Sequence, residues 1–399
     1  MIPVVSGDID RRRLLLGAGG LGLAGLAACA TEENVPGHPY QPAIRLEPVR
    51  ASLDRLFDVT VCLRPFRAAG PRLDVEEVGG ARIVHNYGHG GSGWSLSWGS
   101  STIAVRKAME QSPVSVAVLG CGALGLTSAL LAQRAGARVT IYARDRLPDT
   151  RSARATGSWT PDSRIALADK AAPGFPALWE EMARTSFKTY RSYLGLPGSP
   201  VEWSDRYYLS DGPDDPPAGR SPPGGLDFAD YMDFIRDLSP AAEALAPAST
   251  PFPTREVRRA SSMTFNIADY GHTLMTDFLV GGGRIERREF NAPAELASLP
   301  EKVVINCPGY GARALWQDDS VTPVRGQIAW LIPQPEVDYG VLYRGVNVLA
   351  RRDGIVVQML DGGDMRGYGD ANETPAPADA REAVTRVAGL FDHFREPAA

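Results

Sequence analysis

Val114-Ser115-Val116-Ala117-Val118-Leu119-Gly120-Cys121-Gly122-Ala123-Leu124-Gly125 is the stretch on which the fold turns. An apolar run of this kind suits a strand buried on both faces. The glycines after it spell G-x-G-x-x-G, the helical pattern of Leu126 to Ala135 follows, and Gly136 closes that helix before a second strand over Arg138 to Tyr142. In this context the first glycine permits a tight turn, the second lets backbone approach a pyrophosphate, and the third allows close helix-strand packing. The phosphates then meet the unpaired N–H groups of the helix N-terminus. Gly120, Gly122, Ala123, Leu124 and Gly125 are therefore candidate dinucleotide contacts, and Arg144 and Asp145, about twenty residues on, are candidates for the ribose. Gly17-Ala18-Gly19-Gly20-Leu21-Gly22 has the same spelling, but no strand precedes it. The fingerprint by itself does not separate NAD from FAD.

Working outward, the 399 residues exceed one minimal domain and suggest two domains with additions. Net charge −5 without a basic block argues against a nucleic-acid partner. Five scattered histidines offer no zinc spacing, so no metal site is expected. Arg11-Arg12-Arg13 before a Leu/Gly/Ala-rich run ending in Leu26-Ala27-Ala28-Cys29 reads as a Tat-type export signal closing on a lipobox. A short signal-anchor helix is the alternative. The expectation is a leader over 1–28, a tether over 29–45, and a periplasmic protein held to the membrane only through lipid on Cys29. Cys62, Cys121 and Cys307 lie in apolar or glycine-rich surroundings and read as buried thiols without a disulfide.

Upstream of the fingerprint, Val59 to Leu63 reads as a strand running into a turn at Arg64-Pro65-Phe66-Arg67. There follow His85-Asn86-Tyr87-Gly88-His89-Gly90-Gly91-Ser92-Gly93 and Trp94-Ser95-Leu96-Ser97-Trp98-Gly99, with a helix expected from Ser101 to Met109. Crowded glycines imply that backbone approaches something planar or anionic closely. Further on, residues 174–194 read as a helix, 197–253 as a proline- and glycine-rich inserted region, 328–358 as a series of sheet strands, and 377–394 as a final helix.

The segment Arg64 to Gly99 resembles the C-terminal signature of the D-amino-acid oxidase family, in which it normally follows the fingerprint. Asn306-Cys307-Pro308-Gly309 and Val324-Arg325-Gly326-Gln327 resemble further family segments. The resemblance implies an α/β fold, circularly permuted, with a Rossmann-like FAD-binding domain and a mixed-sheet α+β substrate domain. The FAD-binding part is expected over 46–195 and 301–327, the substrate domain and lid over 196–300 and 328–376, and a C-terminal helix over 377–399. It implies FAD as cofactor, contacted also by Gly90, Gly91, Ser92, Gly93, Trp94, Ser95, Arg151, Ser152, Gly157, Ser158 and Gly309.

By position, Arg64 matches the arginine that grips a substrate carboxylate, and Gly91 the glycine whose carbonyl accepts from the substrate amine. Tyr343 matches a substrate-site tyrosine, and Asn347 falls where vertebrate members place a second tyrosine. His85 and His89 read as loop-shaping residues. The implied reaction is oxidation of D-amino acids to imino and then keto acids by hydride transfer to flavin N5, with O2 as acceptor giving peroxide. Glycine-oxidase or amine-dehydrogenase-like chemistry with a respiratory acceptor, and a noncatalytic flavin-binding lipoprotein, are the alternatives.

Overall fold

The computed structural model describes residues 44–212 and 225–394. The expected leader, its Cys29 and the start of the tether lie outside the described residues. The strands are β1 Leu56–Arg67, β2 Val75–Val78, β3 Ala81–His85, β4 Ser115–Leu119, β5 Arg138–Ala143, β6 Val201–Ser210 and β7 Glu243–Leu245. They continue with β8 Glu256–Phe265, β9 Arg284–Arg287, β10 Val303–Asn306, β11 Val321–Leu331, β12 Gly340–Tyr343, β13 Val346–Arg351 and β14 Gly354–Met359. The helices are α1 Gly93–Ala108, α2 Ala123–Arg134, α3 Phe175–Tyr190, α4 Ile267–Val280, the short α5 Ala312–Leu315, and α6 Pro377–Phe391.

Two sheets result. The smaller has the order β2-β3-β10-β4-β5-β9, parallel except for β2. Its central strands are apolar on both faces because helices cover one side and loop segments the other. Val116, Val118, Leu126 and Ile141 are buried with α1, α3 and α4 residues in one core, and Ala117, Leu119 and Val304 belong to a second core beneath. Gly125 shows why the fingerprint needs its third glycine, since a Cβ there would stand 2.0 Å from the Gly120 carbonyl oxygen. The link Glu110–Pro113 carries the chain from α1 straight into β4 within this one layer.

The larger sheet has the order β1-β11-β14-β13-β12-β6-β8-β7. Residues of odd number in β12 and β14 and of even number in β13, such as Val341, Val357, Val346 and Val348, form a core with Ala380, Ala383, Val384 and Val387 of α6. The opposite face carries Tyr208, Leu342, Asn347 and Gln358. These are successive cross-strand partners in one row: Tyr208↔Leu342, Leu342↔Asn347 and Asn347↔Gln358.

Two expectations need correction. Arg64-Pro65 is not a turn: β1 runs through it to Arg67, with Pro65 opposite Pro323. A proline is tolerated there because β1 is an edge strand and needs no donor on its outer side. Helix α1 begins at Gly93, eight residues before the expected start, so the Trp94–Gly99 segment is helical and buried. Of the other strands, β1 and β11 pair with each other in the larger sheet, while β3, β4, β5 and β10 belong to the smaller one.

Candidate active site

A cavity of about 790 Å³ opens between the smaller sheet and the free face of the larger one. Two helix N-termini reach its wall: Gly93, Trp94 and Ser95 of α1, and Gly122, Ala123 and Leu124 of α2. Both present partial positive charge to whatever occupies the space. Ser152 Oγ accepts from the Ala123 N–H at 3.1 Å, which places the Arg151–Arg154 turn against the start of α2. Trp94 Nε1 donates to the Ser152 carbonyl at 2.8 Å, tying α1 to the same turn.

Of the residues singled out in the sequence, Gly120, Gly122, Ala123, Leu124, Arg144, Asp145, Arg151, Ser152, Gly157, Ser158 and Gly309 line this cavity. So do Gly90, Gly91, Gly93, Trp94, Ser95, Arg64 and Asn347. Segments separated by as much as 283 positions in the chain thus share one wall. Ser92 and Gly125 lie behind it: Ser92 Oγ donates to the Ser163 carbonyl at 3.0 Å, and Gly125 packs on Gly120.

Tyr343 stands elsewhere. Its hydroxyl donates to Asp211 Oδ2 at 2.8 Å, and its ring belongs to the α6 core. The reason is the two-residue period of a strand: Leu342 points at the cavity, so its neighbour Tyr343 points away. Tyr208 of β6, 41% exposed, is a tyrosine that does line the cavity.

At one end, Arg144 donates to Asp145 Oδ2 at 2.8 Å and to Glu289 Oε1 at 3.2 Å. Glu289 arrives there because the Arg288 N–H donates to the Ala143 carbonyl at 3.0 Å, extending β9 alongside β5. At the other end, Arg64 has no hydrogen bond or ion pair among the described residues, and its guanidinium lies over Gly326 of β11. Arg164 beside it is anchored to the Gly363 and Asp364 carbonyls and to the Asp364 carboxylate. Burial and the nearby Arg64 charge push the Arg164 guanidinium down to about 10. Gln358 accepts from Thr156 Oγ1 at 2.9 Å, joining the sheet face to the loop before Gly157.

The two loop histidines are buried and held neutral. His89 Nε2 meets Ser100 Oγ at 2.7 Å and Ser100 donates to Asn86 Oδ1 at 2.5 Å, while His85 Nδ1 meets Asn306 Nδ2 at 2.9 Å. Burial pushes His89 down to about 3 and His85 to about 4. Both are thus poor proton carriers near neutral pH. Cys62, Cys121 and Cys307 are free thiols on the cavity wall, and burial raises all three.

The sequence reading missed Arg164, Arg206, Tyr208, Glu289, Leu342 and Gln358, all of which line the cavity. None sits in a motif. Only strand register and the approach of remote loops bring them there.

The wall also suits a large, anionic, polar cofactor. Arg151 Nε, Trp159 Nε1, Arg206 Nε and His89 Nδ1 are buried without a partner on cavity-lining side chains, and groups of that kind need a bound partner to offset their lost hydration. The fingerprint glycines, the α2 N-terminus and Arg151 with Ser152 fit a pyrophosphate.

The chain is 31% identical over 219 residues to a D-amino-acid oxidase of Streptomyces coelicolor, covering 53% of this chain and 58% of that protein. The chain therefore spans somewhat over half the length of that relative. It is 29% identical over 283 residues to a D-amino-acid oxidase of Rubrobacter xylanophilus, covering 70% and 77% respectively. Among solved structures, glycine oxidase from Geobacillus kaustophilus aligns with TM-score 0.49 at 13% identity, over 71% of this chain and 80% of that one. Residues 115–398 match the family profile described as DAO, FAD dependent oxidoreductase, and the chain belongs to that family.

Proposed function

We propose that the protein oxidises D-amino acids. The observation that carries this reading is Arg64, a half-buried guanidinium without an acidic partner among the described residues, on the same cavity wall as the nucleotide fingerprint. Such a group asks for an anion, and its planar fork matches a carboxylate with two parallel hydrogen bonds. The Gly90 and Gly91 amides donate to the Pro65 and Ser163 carbonyls at 2.8 and 2.9 Å, which fixes this backbone close to β1. In this reading Arg64 holds the substrate α-carboxylate and the Gly91 carbonyl accepts from the amine. FAD, when bound, supplies the acceptor for the α-hydride. Two polar anchors and one open direction admit a single enantiomer, and with His85 and His89 neutral the protein's part is orientation. Water then hydrolyses the imino acid to a keto acid and ammonia, and O2 as final acceptor yields hydrogen peroxide.

The test is a peroxide assay of the FAD-loaded protein on matched D- and L-amino acids, with Arg64→Met alongside. Peroxide from D-substrates, lost in the variant, is the expected result. Substrate reduction without peroxide would move the reading to a respiratory acceptor, and no response to any amino acid would reject it.

We also propose that the family order is circularly permuted here. The family match starts at Ser115, yet the Arg64–Gly99 segment upstream lines the same cavity. Support comes from the short Glu110–Pro113 link and from Phe394 and Val59, which pack against one core where the opposite break would fall. Export and lipid anchoring at Cys29 are part of the proposal and rest on the leader sequence. Mass spectrometry of the N-terminal peptide from the native host would find a lipidated Cys29 if this is right, and an intact leader if not.

A further inference from the structure

Arg64 belongs to the walls of two cavities. The second, of about 270 Å³, shares Arg64, Arg164, Gln358 and Leu360 with the first. It exists because the larger sheet opens there. β11 pairs with β14 only over Ala329↔Val357, Trp330↔Val356 and Leu331↔Ile355, although β11 stays on β1 down to Val321 and β14 stays on β13 as far as Met359. Residues 326–328 and 358–360 therefore part, and the chain returns to β11 where the Arg325 N–H donates to the Gly367 carbonyl at 2.8 Å. The gap passes through the sheet to α6, whose Ala380 and Ala383 line its back.

Four guanidinium groups line the gap, those of Arg64, Arg164, Arg325 and Arg366. Three have a carboxylate: Asp364 is 3.3 Å from Arg164, Asp370 is 3.8 Å from Arg325, and Asp379 is 3.5 Å from Arg366. Arg64 has none among the described residues, so one positive charge is in excess. The arrangement sharpens that excess. The side chains of Arg164 and Arg325 are 10% and 13% exposed against 34% and 48% for their aspartates, which leaves the cations inside and the carboxylates toward water. Arg64 lies flat over Gly326, which itself lines the gap, so the guanidinium has no side chain between it and this space. A cation withdrawn from water without a counter-charge is costly, and an anion drawn into the gap offsets that cost.

We propose that the gap between β11 and β14 is a binding site for a small inorganic anion, chloride or phosphate, and that the bound anion regulates the active site through Arg64. While the substrate site is empty the anion serves as the counter-ion of Arg64. With both sites occupied it weakens the pull of the guanidinium on a carboxylate, and the carboxylate weakens the anion by the same factor. The effect on substrate rests on the reading that Arg64 holds the α-carboxylate, whereas the gap site rests on its own lining.

The test is calorimetry on the FAD-loaded full chain, titrating chloride and, separately, phosphate against gluconate at constant ionic strength, with propionate as a non-reacting carboxylate. At least one of the two anions should bind, and saturating it should lower propionate affinity about fivefold or more to a plateau. Arg366→Met should weaken the anion about tenfold, and Asp379→Asn, which removes a negative charge from the gap, should tighten it severalfold. Neither substitution should move propionate affinity in gluconate alone. The absence of binding by either anion would overturn the gap site. So would an anion that excludes propionate completely and ignores both substitutions, since it would be sitting in the substrate site. Binding that follows both substitutions but leaves propionate untouched would overturn the regulation through Arg64. The reading of Arg64 itself fails separately, if propionate binding in gluconate ignores Arg64→Met.

Discussion

The Arg64 guanidinium lies directly over Gly326 on the neighbouring strand, so close that a methyl group there would stand 2.4 Å from both Nη atoms. Gly326→Ala should therefore push the guanidinium off its position while leaving the ladder between β1 and β11 intact. Monocarboxylate affinity should fall about tenfold or more, the range of one charge-assisted pair, with only a small change in melting temperature. Unchanged affinity would show that Arg64 does not bind the carboxylate.

Asn347 and Tyr343 offer a paired test of the sheet register. Asn347→Leu should raise KM for amino-acid substrates several-fold, because its side chain lies on the cavity face. Tyr343→Phe removes a hydrogen bond to Asp211 on the other face. That substitution should lower stability by about 1 kcal/mol and move KM less than twofold. Reversed effects would mean that β12 is slipped by one residue.

His89 and Asp162 should tilt the stability curve in opposite directions. Burial holds His89 down at about 3, below its ordinary 6.5, so between those values the unfolded chain takes up a proton that the folded one refuses. Stability from this group is present above pH 6.5 and is lost on acidification, at about 1.4 kcal/mol per pH unit. Asp162 is raised to about 6, by burial first and then by Asp230 and Asp364, so its contribution is present below pH 3.8 and is lost as pH rises through 6. Denaturant melts between pH 6 and 4.5 should show a flatter acid loss for His89→Asn and a steeper one for Asp162→Asn. Curves parallel to the parent would contradict both.

Gly125→Ala tests the fingerprint without touching a polar contact. The added methyl would meet the Gly120 carbonyl oxygen at 2.0 Å, forcing α2 away from β4. Strain of about 1–3 kcal/mol and a matching rise in the FAD dissociation constant are expected, read by thermal melts and by flavin fluorescence on reconstitution. Tight FAD binding at parental stability would mean that the α2 N-terminus does not hold the pyrophosphate.

Much of the nucleotide half was legible because its signals are local. A buried strand, a tight glycine turn and a helix lie within twenty residues, and β4, α2 and β5 fall where Val114–Tyr142 places them. The start of α1 was misplaced since Gly93 and the serines after it are weak helix formers, and burial of Trp94, Leu96 and Trp98 overrides their preference.

The sequence by itself determined the chemistry available: a phosphate-binding turn, an arginine beside a glycine-rich loop, and neutral, apolar strand segments to support them. Only the tertiary structure decided which of these groups meet. Arg64 and Arg206 stand 142 positions apart and belong to strands five places distant in the sheet, while Tyr343, one residue from a cavity-lining leucine, faces the other way. The physical reason is that strand pairing is non-local and alternates at every residue. The meeting of two side chains on a sheet depends on register and strand order, which no short window of sequence carries.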